Sequence, residues 1–386
     1  MTALKGLKVI DMSRVLAGPY CTQMLGDMGA EVIKIEKPGM GDDTRGWGPP
    51  YLKDADGNDT TESAYYLSIN RNKKSVALDV ATEEGQTAIH SLLQDADIFI
   101  ENFKVGGLKK YGLSYEQLKD KYPRLIYCGI SGYGQEGPLS SEPGYDFVAQ
   151  GYAGLMASTG VPDGEPMKVG VAVSDILAGM HACVAILAAL HAREKTGKGQ
   201  MVDVALTDCT LATMTNLAQY YLTSGKVPQR RGNQHATIVP YQAFKTADGH
   251  IVISVGNDKQ FALFAKTLQK DWATDARFAT NKNRVIHREV LVPLIEPEIV
   301  KKTTAEWLGV LRAADIPCGP VNTMDKIFAD AQILSRGMKI EMQHPLSDKP
   351  IALVGSPLKF SATPVEYKTA PPVCGQHTDE VLKKKG

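Results

Sequence analysis

Residues 7–35 read LKVIDMSRVLAGPYCTQMLGDMGAEVIKI. Leu7–Asp11 is a short apolar run of the kind buried in a parallel sheet. Gly18-Pro19 opens a helix that runs to Met28, with proline in the first turn, where a missing N–H breaks no intrahelical bond. Gly29 closes the helix, and Glu31–Ile35 is the next strand. Together these form a βαβ unit. The alternation continues with SVALD at 75–79, a helix near Glu83–Gln94, DIFIE at 97–101, a helix around Tyr115–Lys121 and LIYCGI at 125–130. Repeated βα units predict an α/β fold, a parallel sheet carrying helices on its faces.

Downstream, a long apolar helix is expected from Ser174 to Lys195, then a strand at 201–206 and a helix near Leu211–Leu222. Gly225–Asn233, rich in Gly, Pro and Arg, reads as a linker. Tyr241–Thr246, the Asp248-Gly249 turn and residues 251–256 make a hairpin signal. Helices follow at Lys259–Leu268, His287–Val300 and Ala305–Ala314. The tail carries Pro-interrupted strands at 339–345 and 357–362 and a last helix at Thr378–Lys384.

At 386 residues the chain exceeds one ordinary domain, and two packed units are expected. Lys plus Arg and Asp plus Glu both total 43, so no overall charge calls for nucleic acid. The six cysteines (21, 128, 183, 209, 318 and 374) show neither a CxxC pair nor metal-ligand spacing. The apolar run Ile176–Ala192 falls short of the roughly 20 residues a membrane span needs. The first residues lack the pattern of a secretory leader. The expectation is a cytoplasmic protein with no metal, no membrane span and no nucleic-acid partner.

The first strand-to-helix turn, Ser13–Tyr20, lacks GxGxxG, which disfavours a dinucleotide there. Open parallel sheets nevertheless bind ligands at their carboxyl ends. Cationic clusters at Lys34–Gly48 and Asn70–Ser75 follow or precede strands, where they can meet phosphates or sit as solvated charge. Asp175 stands where small residues (169–174) give way to the apolar helix. It reads either as an N-cap or as a carboxylate held ionised by the helix start, a nucleophile that needs no partner base. Gln229–Tyr241 offers Gly232 backbone N–H groups for an oxyanion, and Arg230, Arg231 and His235 for a carboxylate, or serves only as a linker.

In this order, RVLAGPYCTQMLGDMGAEVIKIEKPGMGDDTRGWGPP, NRNKKSVALD, ENFKVGGLKKYGL, GYGQEGPLSSEPGYDFVAQ, GVAVSDILAGMHA and KTGKGQMVDVAL resemble the family III CoA-transferases, whose members include formyl-CoA transferase, carnitine CoA-transferase and α-methylacyl-CoA racemase. The stretch from Arg230 to Asn257 is most similar to the succinate–hydroxymethylglutarate branch. The resemblance implies a Rossmann-like large domain (1–200, completed by 326–386), a linker helix (201–227) and a small α+β domain (228–325), joined as an interlocked homodimer. It implies Asp175 as the nucleophile that forms aspartyl anhydride and thioester intermediates, with Tyr145, Asp146 and Gly232 beside it. Arg14, Val15, Leu16, Ala17, Lys37, Leu78, Asn102, Phe103, Lys110 and Tyr111 would contact CoA, and Arg45 and His235 the acid. CoA and acyl-CoA are then substrates, with no permanently bound cofactor.

Departures narrow the reading. Leu16 replaces a Gln of formyl-CoA transferase, and the glycine loop is shorter, which argues against oxalate and formate. Tyr145 stands where the racemase branch has a His base, and a phenol near pKa 10 is a poor base at neutral pH. An acyl-CoA racemase and a non-catalytic CoA-binding protein are the alternatives to a transferase that moves CoA from succinyl-CoA to a dicarboxylic acid.

Overall fold

The computed structural model describes residues 1–383, so Lys384 of the expected last helix lies outside the described residues. The chain divides into two compact units. The first comprises Met1–Leu155, Lys168–Lys226 and the chain from Ala331; the second comprises Met156–Met167 and Val227–Asp330.

The first unit is built on a six-stranded parallel sheet in the order Lys73–Ala77, Glu31–Glu36, Lys8–Asp11, Ile98–Glu101, Ile126–Ser131, Met201–Ala205. The apolar runs that predicted these strands are buried on both faces, as a parallel sheet requires. On one face the helices Ala17–Asp27 and Val173–Thr196 pack over Val9, Ile98, Ile126 and Val202. On the other, Ile89, Leu92 and Leu93 of the helix Glu83–Leu93 cover Ile10, Ile33 and Phe99. Strand order reverses between Lys8–Asp11 and Ile98–Glu101, which makes the carboxyl ends of these two strands the topological switch point.

Residues 201–227 are not a linker. Met201–Ala205 bonds to the strand at Ile126–Ser131 as an edge of the sheet, and the helices Leu206–Thr213 and Thr215–Ser224 follow it in the same unit. The tail also differs from expectation. Lys339–Met342 pairs antiparallel with Ile351–Val354, whereas residues 357–362 form no strand. Further on, the His377 N–H donates to Ser75 O at 2.9 Å, tying the tail to the sheet's other edge strand.

The second unit holds the expected hairpin, Tyr241–Lys245 against His250–Ser254, extended by Cys318–Pro320. Its core gathers Phe244, Ile251, Phe261, Phe264, Ile295 and Trp307.

The long helix Val173–Thr196 passes length and hydropathy criteria for a membrane span, yet half of its most apolar window is buried inside the protein. Gly197, in the left-handed region at φ 71°, ends it by donating to Arg193 O.

Candidate active site

Asp175 is the third residue of this helix, and the N-cap position is held by Ala172, whose side chain makes no capping bond. The N-cap expectation is therefore corrected. The first-turn donor Ser174 N–H is taken instead by Asp146, whose Oδ1 lies 2.8 Å away. Asp146 opens its own helix, Asp146–Tyr152, and its Oδ2 accepts from Gln150 Nε2 at 2.8 Å. Gln150 is fully buried and accepts the Val169 N–H at 2.9 Å. The small-residue segment 169–174 is thus anchored from both ends by one helical turn.

Asp175 itself lines a cavity of about 570 Å3 together with Leu16, Ala17, Asn102, Phe103 and Tyr145. The expectation of an ordinary ionised carboxylate is also corrected. Burial first, and the negative charge of Asp146 second, push its pKa up to about 7. A second cavity of about 430 Å3 is lined by Lys37, Leu78 and Tyr111 and shares Arg14, Asp43 and Phe103 with the first. Both lie at the switch point. Asn102, just after the strand Ile98–Glu101, accepts the Arg14 N–H at 2.8 Å and donates to Arg14 O at 2.7 Å. The Arg14 guanidinium rests 5.3 Å from the Phe103 ring centroid and 3.0 Å from Asp43.

Two close approaches fix the wall opposite the sheet. A Cβ on Gly18 would fall 2.2 Å from Ser13 Cβ, and one on Gly179 would fall 2.5 Å from Ala17 O. Only glycine lets the turn fold over Ser13, and only glycine lets the long helix touch the start of its neighbour.

Tyr145 is 64% exposed and lines the first cavity, whereas Lys110 sits over the Tyr111 ring but lines neither cavity. Arg45 requires correction. It is 4% exposed, pairs with Glu36 at 2.7 Å and Glu62 at 2.5 Å, and donates to Tyr66 Oη and Pro372 O. Its donors are spent inside the protein, leaving no free fork for a substrate carboxylate. In the second unit, Arg230 is likewise committed, with Nη2 2.6 Å from Gly164 O. Gly232, at φ 58°, donates to Gly160 O, and His235 packs against Tyr241 with centroids 5.1 Å apart.

Sequence reasoning missed Tyr65. Its phenol is pushed up to about 12, by burial first and then by the charge of Asp175, and its ring meets Trp47 edge-on at 5.3 Å. Trp47 lines the first cavity, and Tyr65 reaches that wall through its contact with the Trp47 ring. Tyr65 follows a Ser63 that caps a one-turn helix, a local signal with no chemistry attached.

A half-dry carboxyl on a cavity wall, at the carboxyl ends of parallel strands, suits attack on an electrophilic acyl carbon. Comparison with known proteins agrees with that chemistry. The model of "CoA-transferase family III" matches residues 4–378. Succinyl-CoA:glutarate CoA-transferase of Mus musculus is 43% identical over 100% of this chain and 86% of its own length. Succinate–glutarate CoA-transferase of Agrobacterium fabrum is 44% identical over 98% of this chain and 94% of its own. The crystal structure of a CAIB/BAIF family protein from Brucella suis superposes with a TM-score of 0.89 at 44% identity, covering 100% of both chains. With a family match that spans both units and relatives aligned almost end to end, this chain belongs to CoA-transferase family III.

Proposed function

We propose that the enzyme moves CoA from succinyl-CoA to a dicarboxylic acid of about the size of glutarate, with Asp175 as the covalent carrier. One observation carries the reading: the Asp175 carboxyl lines the switch-point cavity, next to a second cavity that shares Arg14 and Phe103 with it. The first takes the thioester and pantetheine arm; the second, with Lys37, Leu78 and Tyr111, takes the adenosine end. The names of the mouse and Agrobacterium relatives support succinate and glutarate as the acid pair.

In the first step a carboxylate oxygen of Asp175 attacks the thioester carbon. The C–S bond breaks and CoA leaves as thiolate, giving a succinyl–aspartyl anhydride. The thiolate attacks the aspartyl carbonyl, expelling succinate and leaving an aspartyl–CoA thioester. The acceptor carboxylate then enters by the reverse pair of steps, and free Asp175 returns. One thioester replaces another, so the chemistry is nearly balanced and the protein must chiefly position the groups and exclude water. Burial that raises the Asp175 pKa also makes its ionised form more basic and a better nucleophile.

His235 as a carboxylate partner belongs to the same reading, supported by the family resemblance; the Gly232 N–H is already given to Gly160 O at 2.8 Å, so the expectation of Gly232 as an oxyanion donor is corrected. We further infer an interlocked homodimer in the cytoplasm. Exposed apolar side chains along two helices, Met180, Val184, Tyr221 and Leu222 among them, support a protein partner, and six free cysteines support a reducing compartment. Light scattering on the purified chain tests the dimer.

The test of function is Asp175→Ala assayed with succinyl-CoA and glutarate. Transfer disappears while CoA still binds by calorimetry; near-normal turnover would remove Asp175 from its role.

A further inference from the structure

Val15 has φ 70°, the left-handed region that a β-branched residue enters only under constraint. The constraint is visible group by group. Ser13 N–H donates to Asp11 Oδ1 at 2.9 Å, and Ser13 O accepts from Lys34 Nζ at 2.8 Å. Both polar groups of Arg14 are held by Asn102. Val15 N–H points between the two carboxylate oxygens of Asp42, 3.3 Å from each. Five consecutive backbone groups are thus tied to side chains rather than to water or to the sheet.

Asp42 is the member of this set that acts on the strained residue. Its side chain and that of Lys34 are both 0% exposed and meet at 2.8 Å, and the same Lys34 nitrogen holds Ser13 O. The carboxylate is further fixed by the backbone and hydroxyl of Thr44, at 3.0 and 2.7 Å. Burial, the largest single influence, opposes its charge, but Lys34 and the two Thr44 bonds together outweigh it and hold its pKa at about 2. The pair is therefore ionised at neutral pH. A buried ion pair is weak evidence for net stability and better evidence for a fixed geometry.

We propose that Asp42, braced by Lys34, is a positioning residue for the transfer reaction: it holds Val15 left-handed, and so sets Leu16 and Ala17 on the cavity wall that they share with Asp175. The inference rests on the reading of Asp175 as nucleophile. A glycine at 15 would adopt the left-handed conformation unaided, so the need for Asp42 depends on the residue at 15.

The test is a double-mutant cycle of Asp42→Asn and Val15→Gly, measuring kcat for succinyl-CoA with glutarate, CoA affinity and the thermal midpoint. In the wild-type background Asp42→Asn lowers kcat about tenfold or more, while CoA affinity changes less than about threefold. In the Val15→Gly background the same change costs about threefold or less. The acid limb of the pH–rate profile stays in place in all four enzymes, since the effect is geometric. Folding of Asp42→Asn only in the Val15→Gly background is the same coupling at its extreme. Equal losses in both backgrounds, or failure to fold in both, would make the pair a structural element and overturn the proposal. Failure of the underlying reading is separate, and appears as turnover by Asp175→Ala whatever the cycle gives.

Discussion

The Asp146 carboxylate accepts the Ser174 N–H at 2.8 Å, one residue ahead of Asp175, so one acid both anchors the start of the long helix and charges the surroundings of Asp175. A helix start normally stabilises an anion. Here the favourable donor is consumed by Asp146, and Asp175 is left with burial and a like charge. Its pKa near 7 follows from that division of labour.

The rate should therefore report the titration. We expect log kcat/KM for succinyl-CoA to rise with a slope of about one toward a midpoint near 7, then level off. Asp146→Asn keeps an oxygen for Ser174 N–H but removes the like charge, so its midpoint moves to lower pH. The movement is partial, because burial is the larger cause. A pH–rate profile of both enzymes checks this.

Stability should carry the opposite sign. The folded pKa lies above the ordinary aspartate value of 3.8, so the folded state holds the proton longer than the unfolded chain. The stabilisation this gives is complete below about pH 4 and is lost as pH rises through about 7. Asp175→Asn, always neutral, should melt above wild type at pH 8, with the gap closing toward pH 4. Thermal scans across that range decide it.

Arg45 is expected to matter to folding rather than to acid binding. Arg45→Met strands Glu36 and Glu62 in the interior and should cost about 3–5 kcal/mol in urea unfolding. The KM for the acid of the enzyme that does fold should stay within about twofold of wild type, since a loss of this size falls on the folded fraction and not on the site. A selective rise in that KM would restore Arg45 to the substrate.

The parallel sheet was legible because each of its apolar runs is short, β-branched and bounded by turn residues. Asp175 was legible as a carboxylate at a change of periodicity. Its capping partner was not, because Asp146 lies 28 residues from Ser174, and no local pattern encodes that approach. Arg45 misled for a related reason. A cation among glycines after a strand reads as surface, while its neutralising acids stand 9 and 17 residues away. The strand at 201–206 was legible in its own residues, whereas the linker helix that the resemblance implied over 201–227 was not found, because that strand joins the sheet through Ile126–Ser131.

The contact between the long helix and the turn at Ala17 should be sensitive to a single methyl. Gly179→Ala places a carbon 2.5 Å from Ala17 O, a backbone atom that cannot rotate away. We expect a destabilisation of about 1–3 kcal/mol in denaturant unfolding, together with a fall in kcat as the wall beside Asp175 shifts.

The covalent step is open to one direct measurement. Trypsin cutting at Lys168 and Arg193 yields a peptide, Val169–Arg193, in which Asp175 is the sole acidic side chain. Turnover with succinyl-CoA in the presence of hydroxylamine, followed by mass spectrometry, should find that peptide converted to the hydroxamate, and unmodified when succinyl-CoA is omitted. An enzyme that turns over fully while this peptide stays unmodified would contradict a covalent role for Asp175.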